Sequence, residues 1–391
     1  MNLREELTGV AESPMVQIAT IAESMPGSLK LCYGESDLPT PAFICDALDR
    51  ATRGGHTFYT HTAGYRELRE AIAAKVFDLH GVRYDVPEIM ATVGGTMAIY
   101  AAIRAFVGRG DNAVIVSPAY AIYTNAVTMA GGESRRASLA LTGNRFVLDL
   151  DKVRAAVDAN TRMLIVNSPS NPTGWVISES EQRALIEIAE QHDLVILADE
   201  VYERLVFFDK PEVLSPQAAP SFARVTPNRD RLIVVNSFSK TYNMTGWRLG
   251  WAQSSARTIK TMYKAVEFMT SNPAAMVQQA GITALQDGEP AIAELRAHYA
   301  ARRAQVKAAL DAMPGVTLPD PQGSFFAFPK CDFASDSAAF TGDLVRETAD
   351  MEDLTDKAAV TPGPLAPARE LLGYMLMENN QPKEALIEFE A

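Results

Sequence analysis

The chain predicts an α/β protein with a mainly parallel sheet covered by helices, and two observations carry that expectation. Runs of Val, Ile and Leu at residues 113–116, 163–166, 194–197 and 232–235 are nearly continuous. They read as strands buried on both faces, as in a parallel or mixed sheet with no wet side. Amphipathic stretches of helical spacing lie between them, and this βαβ rhythm places helices on both sides of the sheet.

The elements follow in order. Residues 66–79 read as a helix, and Gly94-Gly95-Thr96 leads into a helix-like stretch over 97–106. The first strand runs into Ser117-Pro118-Ala119-Tyr120, and the second into a turn-rich segment from Asn167 through Asn171-Pro172-Thr173-Gly174. A helix over 179–191 buries Leu185, Ile186, Ile188 and Ala189. The third strand opens onto Asp199-Glu200-Val201-Tyr202, and the fourth onto Ser237-Phe238-Ser239-Lys240. A helix over 291–310 ends in a Pro/Gly-rich stretch, after which 324–328 read as a strand of a smaller domain. The expected division is a large domain over 45–285, a smaller one from 1–44 with 286–341, and a helical tail over 342–391.

At 391 residues the chain is long enough for two domains, and its 47% hydrophobic and 21% charged residues suit a soluble globular protein. A net charge of −12 argues against nucleic acid or an anionic membrane as partner, so any bound phosphate needs a local site. Cys32, Cys45 and Cys331 have no metal-ligand spacing; Cys32 and Cys45 read as small core residues of a protein in a reducing compartment. The five histidines show no metal spacing either. Arg135-Arg136 and Arg302-Arg303 read as solvated helix or loop charges. The opening residues lack the pattern of a signal peptide and no apolar run has membrane-spanning length, which together suggest a cytoplasmic protein.

Open α/β sheets bind ligands beyond the carboxyl ends of their strands. The four strand mouths here deliver an aromatic, an amide, a carboxylate with a phenol, and a lysine with hydroxyls. A lysine closing a buried strand sheds its proton more readily than a surface lysine. The neutral amine is the nucleophile needed for a Schiff base with an aldehyde. Taken alone, each piece has a plainer reading: Ser-x-Ser-Lys is usually a surface lysine, Tyr120 core packing, and Gly-Gly-Thr a common loop.

Six segments in one order resemble the class I/II aminotransferases, pyridoxal-phosphate enzymes of fold type I. They are Tyr33-Gly34-Glu35-Ser36-Asp37, Tyr59 through Gly64, Val93-Gly94-Gly95-Thr96, Asn171-Pro172-Thr173-Gly174, Asp199-Glu200-Val201-Tyr202, and Ser237 through Arg248. The resemblance covers about residues 1–340. It implies a mainly parallel, seven-stranded type of sheet sandwiched by helices, with a smaller α+β domain. It also implies pyridoxal 5'-phosphate as cofactor, an amino acid and a 2-oxo acid as substrates, and a homodimer. Lys240 would hold the cofactor as a Schiff base and move the proton at the substrate Cα; Asp199 would keep the pyridine nitrogen protonated. Tyr202 and Asn171 would donate to the cofactor's phenolic oxygen, and Tyr120 would stack on the ring. Gly94, Gly95, Thr96, Ser237, Ser239 and Arg248 would cup the phosphate, with Tyr59 reaching it from the neighbouring subunit. Gly34, with Asn171, would line the substrate pocket.

The tail departs from this pattern. The family carries a C-terminal arginine that clamps the substrate carboxylate, and no matching motif follows Val360-Thr361-Pro362-Gly363; Arg369 is a substitute only by residue type. Residues 342–391 resemble a tetratricopeptide-like segment instead. A fused or frame-disrupted end accounts for this more simply than a true replacement or a chance likeness. Two other functions share the same residues: a pyridoxal-phosphate C–S lyase or other fold type I lyase, and a non-catalytic protein that binds the cofactor.

Overall fold

The computed structural model describes residues 5–8, 10, 34–207 and 218–333. The chain separates into two compact units. The first comprises residues 1–11, 35–313 and 318–329; the second comprises 12–34, 314–317 and 330–391.

The first unit is built on a seven-stranded sheet of order β1-β9-β8-β7-β6-β2-β3. Its strands are β1 Ile89–Thr92, β2 Asn112–Ser117, β3 Glu133–Ser138, β6 Thr161–Asn167, β7 Val195–Asp199, β8 Leu232–Ser237 and β9 Gly250–Gln253. A small hairpin, β4 Ala140–Thr142 with β5 Arg145–Val147, stands apart from it. Strand β9 runs antiparallel to both neighbours, and β8, β7, β6, β2 and β3 are parallel. The sheet is therefore mixed and mostly parallel. Within the described part of the second unit, β10 Val316–Thr317 pairs antiparallel with β11 Lys330–Cys331.

The four apolar runs form the middle of this sheet, each extended by one or two residues at one end or both, although β7 begins at Val195, one residue after its run. Alternate residues supply opposite faces. Val114, Val116, Leu164, Val166, Ile196, Ala198, Leu232 and Val234 belong to one core cluster, with Leu68, Ile72 and Leu185 from the helices. Ala113, Ile115, Met163, Ile165, Val195, Leu197, Ile233 and Val235 belong to the other, with Ile99, Ile103, Tyr123 and Met262. Because both faces are covered, neither phase of the alternation is polar.

The helix Glu179–Gln191 starts at a capping box: the Glu181 amide donates to Ser178 Oγ at 3.3 Å and the Ser178 amide to Glu181 Oε2 at 2.7 Å. The helix expected from residue 97 begins at Gly94, so the glycine pair is its first turn. Among the described residues no helix is long and apolar enough to cross a membrane.

Four expectations are corrected. Arg135 and Arg136 lie on the edge strand β3, not on a helix or loop, and Arg135 pairs with Asp158 at 2.7 Å. Charges on an edge strand discourage pairing with another chain. Arg303, on helix Glu289–Asp311, is half-buried: it binds Asp320 and donates from Nε to the Pro321 carbonyl at 2.6 Å. Residues 324–328 form no strand. Ser324 has φ +61°, which breaks an extended chain, and its amide donates to the Leu205 carbonyl at 2.8 Å. Cys45 is exposed, because helix Ala42–Arg53 turns Ile44, Ala47 and Ala51 inward and the sulfur out. Cys32, Tyr33, Arg369 and the 342–391 tail lie outside the described residues.

Candidate active site

The parallel strands β6, β7 and β8 end side by side, with Asn167 in register with Asp199 and Asp199 with Val235. Asp199 is the last residue of β7 and is buried. Its Oδ2 accepts the Tyr123 hydroxyl at 2.6 Å and its Oδ1 accepts the Val201 amide at 3.2 Å. Burial pushes this carboxyl up to about 6, against the opposing pull of the Tyr123 and Val201 hydrogen bonds and the Lys240 charge. A cation placed against it would return it to the ionised form, so the site is built to receive positive charge.

Tyr202 follows on the turn after β7. Its phenol is buried and held well above its ordinary value, chiefly by burial and then by the Asp199 charge, while a hydrogen bond with Asn171 acts the other way. The Asn171 loop is fixed by Asn167, whose Nδ2 donates to the Asp199 carbonyl at 3.0 Å while its Oδ1 accepts the Asn171 amide at 2.7 Å. The Phe325 and Phe326 rings stand edge-on to Tyr202 at 5.5 Å and 5.6 Å. The segment expected to be a strand therefore walls the site with rings.

Lys240 lies in a one-turn helix, Phe238–Thr241, that follows β8 directly. Its Nζ is 5.7 Å from the Tyr202 ring centre and 5.6 Å from that of Phe325. Burial brings the amine down to about 8; the Glu35 charge raises it, Arg248 lowers it, and Asp199 raises it. Near neutral pH an appreciable share of such an amine is unprotonated, which an ordinary surface lysine is not.

Beside the lysine, Ser237 Oγ accepts the Ser239 amide at 3.1 Å and lies 2.9 Å from Ser239 Oγ. Arg248 packs over Gly94, whose φ is +75°; a Cβ there would overlap the guanidinium. Gly250 approaches the same loop from β9, and a Cβ on it would fall 2.7 Å from the Gly95 nitrogen and 2.8 Å from the Asn236 oxygen. The helix that Gly94 opens has no side-chain cap, so its first amides are directed at the cup. Two hydroxyls, a guanidinium and a glycine-lined helix start suit a phosphate dianion.

These positions bring Asp199, Tyr202, Asn171, Lys240, Ser237, Ser239, Arg248, Gly94 and Gly95 into one unit. Thr96 is exposed in the first turn of the helix. Tyr120 is 42% exposed, edge-on to Tyr123 at 6.4 Å. Tyr59 is 90% exposed and Phe58 beside it 80%, so within this chain Tyr59 is not packed into the site. Gly34 belongs to the second unit. Sequence reasoning missed Tyr123, Asn167 and Phe325. An aromatic on an apolar helix, an amide closing a strand and an apolar run carry no sign of the partners that folding gives them.

Comparison with known proteins agrees with this chemistry. The family description "Aminotransferase class I and II" matches residues 26–363. An aspartate aminotransferase of Pyrococcus horikoshii is 32% identical over 388 residues, covering 99% of this chain and 95% of its own. One from Bacillus subtilis is 30% identical over 369 residues, covering 93% and 91%. Among solved structures, the aspartate aminotransferase of Thermus thermophilus with maleate superposes with a TM-score of 0.81 at 29% identity, over 89% of this chain and 90% of that one. An aromatic aminotransferase from Pyrococcus horikoshii gives 0.75 at 33% identity, over 81% and 84%. A carboxylate and a lysine at adjacent strand mouths, next to a cup suited to an anion, thus occur on a chain with the family's fold and sequence: it belongs to the class I and II aminotransferases and is a pyridoxal-phosphate-dependent enzyme of fold type I.

Proposed function

We propose that Lys240, Asp199 and Tyr202 are the reacting core of this aminotransferase, which moves an amino group from an α-amino acid to a 2-oxo acid. The observation that carries the reading is the pairing of a half-buried lysine, lowered to about 8, with a buried aspartate, raised to about 6, at the ends of neighbouring strands. When bound, pyridoxal phosphate supplies an aldehyde for the amine and a protonated ring that draws electrons from the substrate Cα. Lys240 would hold the cofactor through its amine and would serve as the base that moves the proton at the substrate Cα. Asp199, held by Tyr123, keeps the ring nitrogen protonated. Tyr202 and Asn171 donate to the phenolic oxygen, and Tyr120 covers a ring face. Gly94, Gly95, Thr96, Ser237, Ser239 and Arg248 bind the phosphate. Asn171 also contacts the substrate.

Product analysis tests the reaction. Incubation with an amino acid should yield its 2-oxo acid beyond one equivalent per site only when an acceptor 2-oxo acid is present to complete the cycle. Pyruvate and ammonia in its absence, from a sulfur amino acid, would point to the lyase instead. A cofactor spectrum indifferent to every amino acid would point to the non-catalytic binder.

We infer further that the enzyme is a cytoplasmic homodimer in which Tyr59 reaches the phosphate of the partner's site. The adjacent exposed rings of Phe58 and Tyr59 support this, since apolar surface of that kind marks interfaces. Subunit mixing is decisive. Lys240→Ala and Tyr59→Phe chains, refolded together, should be more active than either alone, because one site of each mixed dimer regains both side chains. Activity that never exceeds the average of the two parents refutes the crossing.

A further inference from the structure

The turn from Asp199 to Arg204 has two sides. Asp199 and Tyr202 face the site, whereas Glu200, Glu203 and Arg204 face away from it at 3%, 8% and 2% exposure. Each of the three is anchored. Glu200 Oε1 accepts the Phe222 amide at 2.9 Å. Arg204 grips Glu289 of helix Glu289–Asp311 with both terminal nitrogens, at 2.9 Å and 2.7 Å. Glu203 Oε2 lies 2.9 Å from Nε2 of His80, the last residue of helix Arg66–His80, and that imidazole is almost fully enclosed.

Polar atoms of His80, Glu200 and Glu203 all lie within 4.8 Å of one another. One imidazolium can balance one carboxylate. With water excluded, the second carboxyl is tolerated only as the neutral acid. The cluster therefore carries two protons when it is electrically balanced, one on His80 and one on Glu200.

We propose that His80, Glu200 and Glu203 are positioning residues for the aminotransferase reaction, a buried proton-sharing cluster that holds the turn bearing Asp199 and Tyr202 in place while it keeps its protons. The proposal rests on the roles given above to Asp199 and Tyr202. Glu200 and Glu203 are the immediate chain neighbours of those two residues, so a shift of the anchors displaces both reacting groups together.

The direction of the pH effect follows from the surroundings. Burial pushes Glu200 up to about 7, with His80 opposing and Glu203 reinforcing. Burial acts to lower His80, but the Glu203 hydrogen bond and charge outweigh it and leave it raised, with Glu200 adding and Arg224 opposing. The other charged or titratable groups facing the cluster are Arg224, Arg204, Tyr84 and Tyr242. Burial pushes Tyr84 up to about 12 and Tyr242 higher still, so neither changes charge near neutrality. Both responsive groups hold protons more tightly in the folded protein than in the unfolded one. Their contribution to stability is thus present at low pH and is lost as pH rises through about 7 and above. At the alkaline end the cluster is left with two unbalanced negative charges.

The test uses the holoenzyme and two readouts: kcat against pH, and the pH midpoint of the bound cofactor's visible absorbance, which reports on Tyr202 and Asp199. Glu200→Gln makes the neutral form permanent. It should hold kcat between about pH 6 and 9, where the wild type declines. His80→Gln should lower kcat about tenfold, typical of losing a partner that orients a reacting group, with unchanged KM and a displaced absorbance midpoint. If His80→Gln fails to fold, Glu200→Gln decides alone. Superposable kcat profiles and midpoints for Glu200→Gln and wild type overturn the proposal, however far Tm moves. A wild-type protein lacking the cofactor's absorbance would instead overturn the roles of Asp199 and Tyr202 before any variant is made.

Discussion

Lys240→Ala should lose kcat by a factor on the order of 10^4 to 10^6, while the protein still folds and still binds cofactor without a covalent link. The magnitude is that of removing a nucleophile which also handles the proton. Two duties fall on this side chain, attachment and proton transfer at Cα, and alanine removes both. Folding should survive because the lysine contributes little to either core cluster, and shortening it relieves the cost of burying an amine whose acidity is already enhanced. Borohydride treatment followed by peptide mapping provides the check: wild type should carry the reduced cofactor on the peptide containing Lys240, and the variant on none. Label on another lysine would displace Lys240 from its role.

Asp199→Asn should cost about 10^3-fold in kcat, roughly 4 kcal/mol of transition-state stabilisation, with a much smaller change in cofactor affinity. Asparagine keeps the shape: its side-chain oxygen can still accept the Val201 amide while its NH2 donates to the Tyr123 oxygen, so the local packing stays close to that of the wild type. The charge that holds a proton on the ring nitrogen is gone, and with it the ring's ability to take up electrons from Cα. The apoprotein should also become less sensitive to pH. Burial raises the Asp199 carboxyl to about 6, so folded protein retains a proton that unfolded chain releases from about pH 4 upward. That contribution to stability is lost as pH rises through about 6, and it is absent from the asparagine variant. Comparable kcat values for the two proteins would remove Asp199 from the reacting core.

The central sheet was legible because it is covered on both sides: β2, β6, β7 and β8 bury every residue but Arg162, and so they appear as unbroken apolar runs. The outer strands were not. Strand β3 is Glu-Ser-Arg-Arg-Ala-Ser, polar because it forms an edge, and β1 and β9 have only four residues each. In the site, residues whose chemistry is intrinsic stood out, as with the lysine after β8 and the carboxylate after β7. Residues whose part depends on a distant neighbour did not. Tyr123 reaches Asp199 from 76 positions away, and Phe325 reaches Tyr202 from beyond the long helix Glu289–Asp311. Glu200 lies inside the motif quoted for Asp199 and Tyr202 and Glu203 directly after it, yet only the fold shows that they point the opposite way.

The contact between Gly250 and the Gly94-Gly95 loop ties inheritance to architecture. A side chain at position 250 would push apart two neighbouring strands and collapse the anion cradle in a single step. No substitution there can trade folding against catalysis, because one atom of added bulk damages both. A lineage that no longer needed the cofactor would still be compelled to keep this glycine for its sheet, so its persistence alone would reveal nothing about whether the enzyme still works. Evidence of retained activity has to be sought where the two demands separate, at Lys240 and Asp199.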